Sequence, residues 1–173
     1  MSKDLGAICQ NGYVVKDIEQ AMQEWLKLGV GPWFYLENAT IDEFEYKGQS
    51  YAIELKIALA NSGDVQVELI QQVNNVPSMY QDFLSSGREG LQHIAYWTED
   101  YSAVYQHIQD LGFKMVHQGQ IGGPQGRLAY FDTEYAIGTA LEISEMTGSK
   151  KQVYDYIKKA SIGWNGKKPI RKL

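Results

Sequence analysis

The chain repeats itself. The segment Ala7-Ile8-Cys9-Gln10-Asn11-Gly12-Tyr13-Val14-Val15-Lys16-Asp17 aligns with Gly90-Leu91-Gln92-His93-Ile94-Ala95-Tyr96-Trp97-Thr98-Glu99-Asp100 at an offset of 83 residues, with Tyr13 over Tyr96 and Asp17 over Asp100. The same offset carries Leu28-Gly29 onto Leu111-Gly112. A repeat of this period means that each half forms the same supersecondary unit and buries its apolar face against the other.

Each half reads as a strand, a helix and three strands. Asp17 and Asp100 are placed to cap helix N-termini, because a short carboxylate accepts the orphan N–H groups of a first turn. Ile18, Ala21, Met22, Trp25, Leu26 and Leu28 recur at helical spacing, as do Ala103, Val104, His107, Ile108 and Leu111. Gly29 and Gly112 suit the left-handed residue that ends a helix. Strands are expected over residues 33–44, 51–60 and 65–71 in the first half, and over 113–118, 127–132 and 139–146 in the second. Lys47-Gly48 and Asn61-Ser62-Gly63-Asp64 mark turns, and residues 119–126 form a Gly-rich loop.

The expected fold is α+β: two tandem βαβββ modules, residues 5–73 and 90–147, making a curved mixed sheet around a central cleft. Residues 74–89 are a linker with a short helix, which completes a domain over 1–149; residues 150–173 add a last helix and a basic tail. No Gly-rich fingerprint follows the first strand, which disfavours a dinucleotide-binding fold.

Strand alternation singles out four polar residues. In Val65-Gln66-Val67-Glu68-Leu69-Ile70 the apolar Val65, Val67 and Leu69 share one face and Glu68 takes the other. Leu141 and Ile143 isolate Glu142 in the same way, in the matching strand of the second half. The repeat sets Gln10 opposite His93 in the first strands. Pseudo-twofold symmetry would gather Gln10, Glu68, His93 and Glu142 in one cleft. An imidazole, two carboxylates and an amide oxygen suit one divalent ion, Zn, Ni, Co or Mn, with Fe less favoured. Trp97 and Tyr130 are candidates to line a substrate pocket, with Lys56 and Arg127 as cationic anchors; His117 is a minor alternative ligand.

Charge is divided unevenly. Residues 1–149 hold 8 Lys and Arg against 20 Asp and Glu, whereas residues 150–173 hold 8 against Asp155 alone. An acidic body argues against nucleic-acid binding, which needs a basic face. The basic tail has three candidate resting places: the acidic body, a partner subunit or an anionic substrate. In its helix Lys150, Lys151, Lys158 and Lys159 are expected to be solvated. Cys9 is the only cysteine, so there is no internal disulfide framework. No apolar leader and no membrane-spanning run occur, and a cytoplasmic location is expected.

The residues 10–17, Gly29-Val30-Gly31-Pro32-Trp33, Val67-Glu68-Leu69-Ile70, residues 90–96 and Leu141-Glu142-Ile143 together resemble the vicinal oxygen chelate superfamily. That group includes glyoxalase I, methylmalonyl-CoA epimerase, bleomycin-resistance proteins and extradiol dioxygenases. Gly31-Pro32-Trp33 and the later Gly163-Trp164-Asn165-Gly166 are similar to a glyoxalase-like subgroup.

The resemblance implies a metal held by Gln10, Glu68, His93 and Glu142, a pattern associated with one class of glyoxalase I. It implies an isomerase, epimerase or lyase that moves a proton at a carbon next to a bound carbonyl. The substrate would be a thioester, a hemithioacetal or another carbonyl compound. Glu142 is the first candidate base, and Glu54 matches a strand that carries a catalytic glutamate in the epimerases. A homodimer is implied as well. The alternatives are a binding or resistance protein without catalysis and, less favoured because Gln10 stands where a histidine is usual, a dioxygenase.

Overall fold

The computed structural model describes residues 5–173. The first module contains β1 (Gln10–Val14), α1 (Ile18–Lys27), β2 (Trp33–Thr40), β3 (Asp42–Tyr46), β4 (Gln49–Ser50), β5 (Glu54–Ser62) and β6 (Val65–Gln72). A linker with α2 (Met79–Ser85) leads to β7 (Gly90–Thr98), α3 (Tyr101–Asp110), β8 (Met115–Gln120), β9 (Arg127–Phe131), a short α4 (Glu134–Ile137) and β10 (Ala140–Glu145). α5 (Gly148–Ser161) and β11 (Ile170–Lys172) follow.

The caps behave alike in both halves. Asp17 Oδ1 accepts from the Gln20 N–H at 2.9 Å and Asp100 Oδ1 from the Ala103 N–H at 3.3 Å. Gly29 and Gly112 close α1 and α3 with φ of 81° and 90°, where a Cβ would be strained.

All the strands join one sheet, in the order β11-β2-β5-β6-β1-β7-β10-β9-β8-β3-β4. From the centre outward the first module runs β1, β6, β5, β2 and the second β7, β10, β9, β8, and the modules meet where β1 runs antiparallel to β7, Gly12 opposite His93. The expected single strand over 33–44 is in fact two. The chain leaves β2 at Thr40 and, after Ile41 alone, enters β3, which pairs not with β2 but with β8 near the far edge. Strands so far apart in the order can be joined by one residue only if the sheet rolls round until its edges nearly meet. The expected strand from 51 likewise begins only at Glu54.

The roll creates an inside and an outside. Outside, Ile18 and Met22 of α1 pack with Val15, Trp33, Val67 and Leu69, and Ile108 of α3 packs with Ala129, Phe131, Leu141 and Ile143. Inside, Val14, Phe34, Phe44, Leu55, Ile57, Leu59, Ile70 and Tyr130 form the main core, and α5 inserts the fully buried Ile157 and the partly buried Tyr154 into it.

The basic segment lies on the acidic body. β11 adds parallel to β2, the Trp33 N–H donates to the Pro169 carbonyl at 2.8 Å, and Lys172 meets Glu37 at 2.8 Å. Lys158 pairs with Asp64 at 2.8 Å and Lys151 with Glu99 at 3.4 Å. Exposed pairs like these contribute little each, so backbone pairing and the apolar face of α5 do most of the anchoring. Lys150 departs from expectation. It is buried, because α5 docks with its first turn against the sheet interior, and its Nζ donates to Ser144 Oγ at 2.5 Å. Among the described residues, no helix is long and apolar enough to cross a membrane.

Candidate metal centre

The strand registers bring three of the expected ligands together. Glu68 on β6 sits beside Gly12 on β1, and Gly12 sits opposite His93 on β7. Glu142 on β10 pairs with Ala95, two residues on from His93. All three side chains point to the interior of the rolled sheet and are buried. His93 Nε2 is 3.2 Å from Glu142 Oε2 and 3.3 Å from Glu68 Oε2. One ligand atom from each lies within 4.8 Å of the others.

Glycine at position 12 makes this possible. The His93 ring lies on the Gly12 backbone, and a Cβ there would fall 1.8 Å from its Cε1 and 2.0 Å from its Nε2. Ala95 holds the position equivalent to Gly12 by the repeat, so the symmetry is broken where the imidazole needs room.

A neighbour fixes the ring. His93 Nδ1 is 2.8 Å from Gln92 Oε1. An amide oxygen only accepts, so Nδ1 carries hydrogen, which leaves Nε2 as the ring atom that faces the carboxylates. Gln92 comes from an irregularity in the β1–β7 register and is a site residue that alternation misses.

Burial alone would push the His93 pKa down, but the Glu142 and Glu68 carboxylates outweigh it and raise it to about 9. Burial holds Glu68 above the ordinary carboxylate range. Glu142 feels the same desolvation, but His93 prevails and its pKa is lowered. His93 Nε2 and Glu142 Oε2 nevertheless have no well-formed hydrogen bond. Buried polar atoms that converge and remain unsatisfied fit a missing partner that accepts lone pairs, and one nitrogen with two carboxylates suits a borderline divalent cation.

The other expected residues distribute as follows. Gln10 is buried on β1, with its Nε2 donating to Gln66 Oε1 at 2.8 Å. Tyr130 packs its ring 4.9 Å from His93, and its hydroxyl is 3.2 Å from that of Tyr80. Trp97 stands 5.2 Å from the Tyr154 ring. His117 is stacked on Tyr130 at 4.6 Å, with both ring nitrogens unpartnered, and burial lowers its pKa to about 3.

Three residues are not brought to the centre. Glu54 opens β5 and is exposed. Lys56 turns outward toward Glu19 at 3.5 Å. Arg127 is on the outer face, held by Glu145 at 2.7 and 3.1 Å and lying over the Tyr101 ring. On β5 the interior positions are Leu55, Ile57 and Leu59.

A cavity of about 180 Å³ reaches the centre through Glu68. Leu36, Ile57, Leu59 and Ile121 form one side, and Lys150, Val153 and Tyr154 of α5 form the other. The C-terminal segment is thus part of the wall of the candidate site.

The chain belongs to the Glyoxalase/Bleomycin resistance protein/Dioxygenase superfamily, whose family model matches residues 9–131. Its fold is similar to that of methylmalonyl-CoA epimerase from Mycobacterium tuberculosis, at 18% identity over 88% of this chain and 96% of that one, with a TM-score of 0.60. It is also similar to a hypothetical protein from Bacillus halodurans C-125, at 19% identity over 83% and 96% of the two chains, with a TM-score of 0.59. A Streptomyces coelicolor methylmalonyl-CoA epimerase in complex with 2-nitronate-propionyl-CoA matches at 18% identity over 81% and 96%, with a TM-score of 0.52. At these identities the likeness is one of fold. No curated protein sequence matches the chain.

Proposed function

We propose that the protein is a metal-dependent isomerase, epimerase or lyase that transfers a proton at a carbon next to a carbonyl group. The observation that carries this reading is the convergence of the buried Glu68, His93 and Glu142, with His93 Nε2 and Glu142 Oε2 unsatisfied. Their origin in equivalent strands of a repeated module supports it, as does membership of a superfamily that includes enzymes. Gln10 belongs to the proposed ligand set through its amide oxygen.

A divalent ion held by these residues would supply Lewis acidity, polarising a substrate carbonyl and acidifying the proton on the neighbouring carbon. The chain's own groups do the rest. Gln92 keeps His93 in one tautomer. Glu68 meets the cavity, so it is placed to take up the proton; Glu142, the first candidate by sequence, sits behind it against His93. Leu36, Ile57 and Leu59 give the reacting carbon one apolar side. Glu54, exposed at the start of β5, has no part in this scheme. A homodimer in the cytoplasm is part of the same proposal.

The test is deuterium wash-in. Metal-loaded protein in D2O is offered a panel of 2-oxo acids, acyl-CoA thioesters and hemithioacetals, and exchange at the carbon beside the carbonyl is followed by NMR. Exchange that depends on metal and is lost in Glu68→Gln supports the reading; no exchange with any carbonyl class contradicts it. A binding protein without catalysis is the second reading, favoured by the packing of α5 along one side of the cavity, and it expects ligand affinity without exchange.

A further inference from the structure

Lys150 is the buried charge that the metal reading leaves unexplained. It belongs to neither repeat, yet α5 sets it in the wall of the cavity beside Glu68, almost fully buried. Its Nζ donates to the neutral hydroxyl of Ser144, two residues after Glu142 on the interior face. The acid nearest along that strand, Glu145, points outward and has both oxygens engaged by Arg127.

A lysine in such a wall, with a neutral hydroxyl as the hydrogen-bond partner of its Nζ, has further donor capacity for an anion that enters the cavity, and a charge-assisted hydrogen bond to a carboxylate is the strong form of that contact. Burial pushes the Lys150 pKa down, and a carboxylate beside the amine favours its charged form. Apart from Ser149 and Tyr154, the rest of the lining is apolar: Leu36, Ile57, Leu59, Ile121, Val153 and Leu173. Its volume of about 180 Å³ compares with the ~150 Å³ that accommodates benzene.

We propose that the substrate is a compact carbonyl compound that carries a carboxylate, about eight non-hydrogen atoms in all, and that Lys150 is the cation that receives this carboxylate. This inference rests on the metal-dependent reading above. A coenzyme A or glutathione adduct would have to leave most of its bulk outside. Lys150 is therefore a specificity-determining residue supplied by the C-terminal helix, and Lys56 and Arg127, the cations that sequence favoured, are not.

The experiment is calorimetry on zinc-loaded protein with two matched probes, 2-oxopentanoate and 2-pentanone. Wild type is expected to bind the oxo acid at least about tenfold more tightly, the worth of one charge-assisted hydrogen bond. Lys150→Met should shrink that preference by about tenfold or more while zinc is still bound. Lys150→Arg should restore part of it. Equal binding of both probes by wild type overturns the proposal, and so does an undiminished preference in Lys150→Met. If Lys150→Met does not fold, the wild-type comparison and Lys150→Arg decide. Wild type that binds zinc but shows no anion preference overturns this proposal alone. Wild type that takes up no zinc overturns the metal-dependent reading, and this proposal with it.

Discussion

His93 Nε2 stands 3.2 Å from Glu142 Oε2, and neither atom has a well-formed hydrogen bond to anything in the protein. The two residues are neighbours because β7 and β10 run parallel with Glu142 beside Ala95. The imidazole can lie flat in that space only because Gly12 has no side chain. The pair is the point at which sequence symmetry, sheet register and ligand chemistry meet.

Gly12→Ala tests the steric part. The added methyl would overlap the His93 ring, which is buried and has nowhere to go. Metal affinity, measured by competition with a chromogenic chelator, is expected to fall more than about tenfold while the far-UV circular dichroism is kept. Unchanged affinity would mean that His93 is not held over Gly12.

Gln92→Leu tests the orientation of the ring. Removing the acceptor of His93 Nδ1 should weaken metal binding by about 10- to 100-fold, the usual effect of deleting a partner behind a metal-binding histidine. Ligand affinity in metal-free protein should not change.

The stability of metal-free protein should fall with rising pH. The His93 pKa is raised to about 9 in the folded chain, against about 6.5 unfolded, so the protonated ring stabilises the fold fully below about 6.5 and loses that effect as pH climbs through about 9. Urea unfolding at pH 6 and pH 9.5 is expected to differ by up to roughly 3 kcal/mol, with the lower value at pH 9.5. Metal loading should reduce the difference, because the ion takes the proton's place. A metal-free protein more stable at pH 9.5 would contradict this.

Arg127→Ala should separate structure from chemistry. Its ion pair with Glu145 is partly exposed, so the loss is expected to be about 1 kcal/mol in unfolding free energy. Metal content and turnover should be unchanged. A drop in substrate affinity would return Arg127 to the role of anchor.

Much of this arrangement is written locally in the chain. The caps Asp17 and Asp100, the stops Gly29 and Gly112, and the alternation that isolates Glu68 and Glu142 depend on residues a few positions apart, and all take the positions the sequence implies. What was not legible depends on contacts between distant segments. Residues 33–44 contain no glycine or proline, so nothing marks Ile41 as the place where the chain crosses from one sheet edge to the other. Gln92 follows from an irregular register. Lys150 reads as a solvated lysine until the docking of α5 buries it. Arg127 lies next to a glycine-rich loop, as an anchor would, but strand parity turns it outward.

The most direct measurement is metal content. Purified protein, reconstituted and dialysed, should hold one divalent ion per chain by elemental analysis, and the double variant His93→Ala, Glu142→Ala should hold almost none while remaining folded. A wild type that keeps no ion after reconstitution, or a double variant that keeps its ion undiminished, would contradict the account.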